Sequence, residues 1–453
     1  MASVRSHENI ELMTYSEVAE VSGYVGNFRV KVRQKPRYVD ESKCTGCATC
    51  QDKCPSKTMS EFDVGMGTRK AIYTPFPQAV PNVPVIDTST CIYFTKGKCR
   101  ACEKLCEAKA IDFEQTEKTV ELDVGTIIVT TGFDSFDPSV MVQFGYGRYD
   151  NVVTGIQFER MSNASGPTGG KILRKDGSTP HSVAILHCIG SRDVNYHEYC
   201  SRVCCMYSLK FSHLVHEKIP DAKIYQCYID LRCFGKGYEE FYNRLQEEGV
   251  NFVRGRAGEI TDIPESPEEE GKLVVIVEDT LVRKKRRLPV DMAVLSAALE
   301  ARADADEVAR LFSISRSQDG FFLEKHPKLD PVATTTDGIF IAGCCQGPKD
   351  IPDTVAQASA AAARVLAMIG KGSVEIESAT AVVNEELCSG CKTCVSLCPY
   401  TAITFDEEKA VSVVNEALCK GCGTCAAACP SGAIKSRHFT TEQIMAQLEG
   451  VMV

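Results

Sequence analysis

The sequence predicts an α/β core interrupted by one cysteine-rich domain and followed by a second. Three observations predict it. Sixteen of the 24 cysteines fall into four tight groups, two in the first quarter of the chain and two near its end. Between these pairs, short apolar runs alternate with stretches of helical spacing, the signature of β-α-β units around a parallel sheet. Two apolar runs, 124–133 with a Thr-Gly turn at its end and 335–343 ending in glycine, flank the alternating region and read as strands of a further sheet.

Composition narrows the class. At 453 residues the chain exceeds one typical domain. A net charge of -9 argues against nucleic acid as a partner. The one basic run, Arg283-Lys284-Lys285-Arg286-Arg287, reads as a solvated hairpin turn between Leu281-Val282 and Leu288-Pro289. The first residues (MASVRSHENIELM) hold no apolar signal core. The longest apolar run, 360–369, is broken by Arg364 and too short to span a bilayer. A reduced, cytoplasmic protein without membrane insertion is expected.

The cysteine groups carry the chemistry. Three read C-x-x-C-x-x-C-x-x-x-C-P: Cys44-Cys47-Cys50-Cys54, Cys388-Cys391-Cys394-Cys398 and Cys419-Cys422-Cys425-Cys429. The fourth, Cys91-Cys99-Cys102-Cys106, has a stretched first gap and Glu107 in place of proline. This is the bacterial ferredoxin pattern, in which three thiolates of one run and the last cysteine of its partner hold each [4Fe-4S] cubane. A zinc ribbon would stop at two cysteines per knuckle. Four clusters follow, on Cys44, Cys47, Cys50 with Cys106; Cys91, Cys99, Cys102 with Cys54; Cys388, Cys391, Cys394 with Cys429; and Cys419, Cys422, Cys425 with Cys398. The protein is expected to move single electrons.

In chain order, 1–39 reads as a β-meander (strands near 10–15, 18–21 and 28–32), the remnant of a larger domain. An inserted two-cluster ferredoxin domain follows over 40–111, with 57–87 as an ordered, proline-rich surface loop. The outer domain continues over 112–180, and an inner α/β domain occupies 181–330. The outer domain returns over 331–372 with a strand and a helix that has Pro352 in its first turn. A second two-cluster ferredoxin domain spans 381–437, and Thr440 caps a helical tail over 438–453.

The strands ending in Thr131-Gly132 and Gly343 resemble those that hold FAD in two-dinucleotide-domain flavoproteins, where a helix N-terminus faces the flavin. Thr131, Gly132, Gly343, Gln346, Gly347, Lys349 and Asp350 are therefore the candidate cofactor-binding residues. The inner domain lacks the G-x-G-x-x-G loop of a nicotinamide site. Cys188, Cys200, Cys204 and Cys205 stand there instead and read as a fifth iron-sulfur centre. Cys227, Cys233, Cys344 and Cys345 have no ligand spacing and read as core or loop thiols.

Cys188-Ile-Gly-Ser-Arg-Asp193, Tyr199-Cys-Ser-Arg-Val-Cys-Cys-Met-Tyr-Ser-Leu-Lys210, Phe234-Gly-Lys-Gly-Tyr-Glu-Glu-Phe-Tyr242 and Gln346-Gly-Pro-Lys-Asp-Ile-Pro352 resemble the A-type component of heterodisulfide reductase, as do both ferredoxin domains. The resemblance implies a thioredoxin-reductase-like flavoprotein core carrying FAD and [4Fe-4S] clusters. It implies a complex with B and C subunits and an electron-input module of hydrogenase, formate or NADH dehydrogenase type. The flavin there bifurcates electron pairs between the B/C subunits and ferredoxin. Lys210 and Glu159 are implied as neighbours of the reacting face of the flavin. The family opens with a G-x-G-x-x-G strand-loop-helix that this sequence lacks. The chain is therefore expected to be amino-terminally shortened, its missing FAD-binding half supplied by a separate chain or encoded upstream of Met1. The competing expectation is a flavin-free polyferredoxin-type relay.

Overall fold

The computed structural model describes residues 2–373 and 377–452. After a single helical turn at Ala2–Arg5 comes a long hairpin, β1 (Ser16–Tyr24) and β2 (Asn27–Gln34), turned at Gly26 with φ 84°. Residues 10–15, expected as a strand, form none. The third strand of this sheet comes from the far side of the insert. The insert begins with the hairpin β3 (Lys57–Met59) and β4 (Thr68–Lys70), followed by a second small hairpin of Ile72–Tyr73 with Val85–Ile86. Thus 57–87 is two hairpins rather than a surface loop, and Ile72, Val85 and Ile86 are buried. The reason is scarcity. This unit has few apolar residues, and Val39, Ile72, Val83, Ile86, Ala110, Ile111 and Phe113 must all serve as core, with six cysteines packed around them.

After the insert, β5 (Lys118–Val124) pairs antiparallel with β2. Next comes β6 (Ile127–Val129), and then β7 (Val152–Thr154) leads straight into helix α1 (Gly155–Ser162). The inner unit supplies β8 (Ser182–Ile189), helix α2 (Cys204–Lys218), β9 (Lys223–Tyr228), β10 (Asn251–Arg254) and β11 (Met292–Ala297). These strands form one parallel sheet in the order β7-β11-β8-β9-β10. Every residue of β8 (SVAILHCI) is buried, as expected of a parallel strand covered on both faces. Phe158, Leu209, Phe211 and Val215 of α1 and α2 cover Val183, Ile185, Met292 and Val294 on one face. A three-stranded antiparallel sheet covers Ala184, Leu186, Ala293 and Leu295 on the other. That sheet absorbs most of the basic run. The turn lies at 280–283, and Lys284–Arg287 form strand, with Arg286 on Asp279 at 3.1 Å and Arg287 on Glu269 at 2.8 Å.

The separated strands meet: β6 pairs in parallel with β12 (Ile339–Ile341). Helix α3 (Ile351–Lys371) follows, with Asp350 as N-cap accepting from Asp353 N at 2.9 Å and Pro352 in the first turn. The outer and inner units do not divide at residue 181. Strand β7 belongs to the inner sheet, whereas Ala305, Ala309 and Phe312 pack with Val25, Phe28, Val129, Ile339 and Ile341 of the outer one. Near the end, Ala381–Val383 pairs with Ile434–Ser436 and Ile403–Asp406 with Val411–Val414. Thr440 and Gln443 form a capping box at helix α4 (Thr441–Val451). Among the described residues no helix is long and apolar enough to cross a membrane.

Candidate functional site

The insert sorts its eight cysteines into two hollows. One is lined by Cys44, Cys47, Cys50 and Cys106, the other by Cys54, Cys91, Cys99 and Cys102. Each hollow therefore gathers three thiols of one run and the last of the other. Burial pushes Cys50 up to about 11 and Cys102 up to about 12, a cost that iron bound to the thiolate would offset. In the C-terminal unit Cys394, Cys398, Cys419, Cys425 and Cys429 converge on a core of Ala381, Ile403 and Ile434. Cys388, Cys391 and Cys422 lie on loops at its rim. Among the described residues no three His, Cys, Asp or Glu side chains converge as they would on a single ion.

The second cysteine of each regular run shares a feature that motif reading missed. Cys47, Cys391 and Cys422 are exposed, and the hydroxyl and backbone N–H of Thr49, Thr393 and Thr424 pull their thiols below the ordinary range. The signal in the sequence is a repeated Cys-x-Thr.

The inner unit builds a third gathering of sulfur. Cys188 is the last residue but one of β8, with φ 59°, and Cys204 and Cys205 open α2. All three are at most 3% exposed. Hydrogen bonding to Cys204 holds Cys188 and Cys205 below the ordinary thiol range and Cys204 above it. Cys200 lies on the intervening loop, where Arg202 N donates to its Sγ at 3.3 Å, and the Arg192 charge acts on both Cys188 and Cys200. His187 is buried beside this group. One ring nitrogen bonds Gln226 Oε1, whereas Nδ1 is buried without a partner. Cys227 and Cys345 are core thiols, and Cys233 and Cys344 are half-buried.

Beside these sulfurs lies a cavity of about 660 Å³. Helix α2 lines it with Met206, Tyr207 and Lys210, α1 with Gly155, Ile156 and Glu159, and the entry to α3 with Lys349, Asp350, Ile351 and Pro352. The wall is mostly apolar, with Phe133, Phe211, Phe241 and Leu299 besides. Four sequence-predicted residues meet here: Lys210, Glu159, Lys349 and Asp350. Thr131, Gly132, Gly343, Gln346 and Gly347 lie outside the lining. Gly343, Gln346 and Gly347 serve Lys349, whose buried Nζ donates to Gly343 O, Gln346 Oε1 and Gly347 O at 2.8 Å each. Burial lowers its pKa, and none of these three partners is a carboxylate.

Comparison with known proteins identifies the ferredoxin-type regions and the family. Residues 381–436 match a family model described as "4Fe-4S dicluster domain", and 37–59 one described as "4Fe-4S binding domain". Over 455 residues the chain is 50% identical to the A component of the H(2):CoB-CoM heterodisulfide,ferredoxin reductase of Methanothermobacter thermautotrophicus, covering 100% of this chain and 67% of that protein. It is 53% identical over 455 residues to one of the A-type iron-sulfur components of the CoB--CoM heterodisulfide reductase of Methanopyrus kandleri, covering 99% of this chain and 68% of that one. With the A component of the Ferredoxin:CoB-CoM heterodisulfide reductase of Methanosarcina mazei it shares 44% over 451 residues, 99% of this chain and 55% of that one. Among solved structures, Lactococcus lactis thioredoxin reductase aligns at 14% identity and a TM-score of 0.35, over 66% of this chain and 86% of that one, a likeness too slight to argue from. Four cysteine runs in two ferredoxin domains, an α/β core between them and half-identity along the whole chain lead to one conclusion: this chain belongs to the A-type family of heterodisulfide reductase components, the iron-sulfur oxidoreductase chains of that enzyme.

Proposed function

We propose that this chain is the iron-sulfur flavoprotein component through which a heterodisulfide-reductase-type complex routes electrons, dividing pairs between ferredoxin and B- and C-type subunits. The observation that carries the reading is helix α2. Its first turn presents Cys204 and Cys205, and its next residues, Met206, Tyr207 and Lys210, wall the cavity. At 1.5 Å per residue, Cys204 and Lys210 are roughly 9 Å apart along the axis, a short path between a redox ring in the cavity and a cluster on the cysteines.

Cavity size and lining suit a flat, largely apolar ring with a few polar contacts. A bound flavin would accept two electrons and release them singly. Lys210 and Glu159 would set the charge beside it, Tyr207 is fixed by donating to Ala297 O at 3.4 Å, and the N-terminal end of α3 with Lys349 would offer positive charge. Cys188, Cys200, Cys204 and Cys205 would hold the fifth [4Fe-4S] cluster, and the sixteen cysteines of the four runs the other four. Electrons would enter from a hydrogenase, formate or NADH module at one ferredoxin domain and leave through the other.

The cavity also separates this reading from a flavin-free relay, which needs clusters alone. Anaerobic reconstitution with iron, sulfide and FAD tests it. The expected spectrum has flavin bands above broad iron-sulfur absorbance, and Lys210→Met shifts the flavin midpoint potential downward. Iron-sulfur absorbance alone, with all FAD recovered in the small-molecule fractions of gel filtration, would establish the relay.

A further inference from the structure

We infer that Arg160 is a positioning residue: it latches the inserted ferredoxin domain to the cavity wall through Asp63, fixing where the insert's clusters sit relative to the cavity. Arg160 lies on α1, one residue beyond Glu159, and its side chain is only 7% exposed. Both Nε and one terminal nitrogen donate to Asp63 Oδ1 at 3.1 Å, 97 residues away on the loop between β3 and β4. The same terminal nitrogen donates to Ser165 O at 3.3 Å. The guanidinium carbon stacks 4.4 Å from the centre of the Phe62 ring. Two more residues of the hairpin tip engage the inner unit. Met66 packs on the core that holds Phe158 and Leu209, and at Gly67 a Cβ would come within 3.2 Å of Pro167 Cβ and 3.1 Å of Asp63 Oδ2.

The chemistry of this contact is unlike that of a stability device. Removing an arginine and an aspartate from water is costly, and an apolar pair of similar volume would hold two surfaces together at least as well. What the fork supplies is direction, because a planar cation satisfied at two positions tolerates only one approach of the carboxylate. The hairpin it grips grows directly from a cluster hollow: Cys54 precedes β3 by three residues, and Lys70 at the end of β4 donates to Cys54 O at 2.5 Å. At the other end, Arg160 lies 3.9 Å from Glu159 Oε2, which faces the cavity. One cation thus joins a hairpin rooted at a cluster hollow to the carboxylate in the cavity wall.

The purpose of the latch rests on the electron-transfer reading above, but its geometry does not. The test uses the full chain, purified without air, as wild type and as Arg160→Met, Asp63→Asn and Arg160→Lys. Amide exchange over 60–67 and 155–162 should rise roughly tenfold or more in the first two variants, with 182–189 unchanged, because local opening no longer breaks a buried pair. Magnetic coupling between reduced clusters of the insert and the inner centre, read by pulsed electron paramagnetic resonance, should weaken and broaden at unchanged iron content. Arg160→Lys should recover part of both. Asp63→Asn alters only the insert side, so it decides the matter if Arg160→Met fails to fold. Unchanged exchange over 60–67 in Asp63→Asn would overturn the latch, and altered exchange with unchanged cluster coupling would overturn its positioning role. A wild-type protein without cluster signals would sink the electron-transfer reading, while the exchange data would still decide the latch.

Discussion

Asp87 shows how much a single carboxylate organises in so small a core. Its Oδ1 accepts from Ser89 N at 3.0 Å and Ser89 Oγ at 2.6 Å, and its Oδ2 from Arg69 at 2.9 Å. Its backbone carbonyl accepts from Cys91 N, the first cysteine of the irregular run. Burial pushes its pKa up, yet the bonds from Ser89 and Arg69 outweigh it and hold the group at about 2 against an ordinary 3.8. The folded pKa is the lower one, so this stabilisation is complete above the unfolded value and fades as pH falls from 3.8 toward 2. Asp87→Asn should cost about 1 kcal/mol at neutral pH and flatten the acid limb of unfolding in that window. Urea titrations of both proteins across that acid limb check it. No such role was legible in advance, because Asp87 carries no motif. Arg160 and Asp63 were silent for another reason: spacing along the chain says nothing about a pair 97 residues apart. The cysteines were legible because a cubane dictates its own spacing. Lys210 and Glu159 were legible only through resemblance, since an exposed helical lysine resembles any other.

At the scale of elements, burial on both faces made the inner strands readable as continuous apolar runs, whereas the outer strands misled. Residues 10–15 look like a strand but form none. The strand that completes that sheet, β5, arrives only after the insert because Val120, Leu122 and Val124 alternate in register with β2. The loop expected at 57–87 folded into hairpins because a core of seven residues cannot spare Ile72 and Ile86. Between α2 and β9 a buried polar network does what apolar packing does elsewhere. Gln226 donates to Ser208 O at 2.8 Å and Ser212 Oγ at 2.7 Å and accepts from His187, and Ser208 Oγ bonds Ser296 Oγ at 2.7 Å. Gln226 and the three serines are fully buried, and His187 is 3% exposed. Gln226→Leu should destabilise the chain by about 2 kcal/mol, because it strands buried groups that had been satisfied. It should also loosen the seat of Cys188 and Cys205 beside His187. Chemical denaturation measures the first effect, and iron retained after dialysis against a chelator measures the second.

For the whole molecule, two cysteine-rich units and a sulfur-rich helix end are carried by one α/β scaffold. One ferredoxin unit is inserted in the outer sheet, another follows it, and the inner sheet places a sulfur-rich helix end against a cofactor-sized cavity. Parallel strands β6 and β12 bring together segments separated by the entire inner unit, and helix α2, which opens with Cys204 and Cys205, walls the cavity together with α1 and the start of α3. Such a scaffold makes sense only around iron. The most direct test is the iron and acid-labile sulfide content of chain purified without air, beside that of Cys204→Ser. Five cubanes predict about twenty of each per chain, with a loss of about four in the variant. Stoichiometric zinc, or iron well below the roughly sixteen needed by the four ferredoxin-type runs, would contradict it.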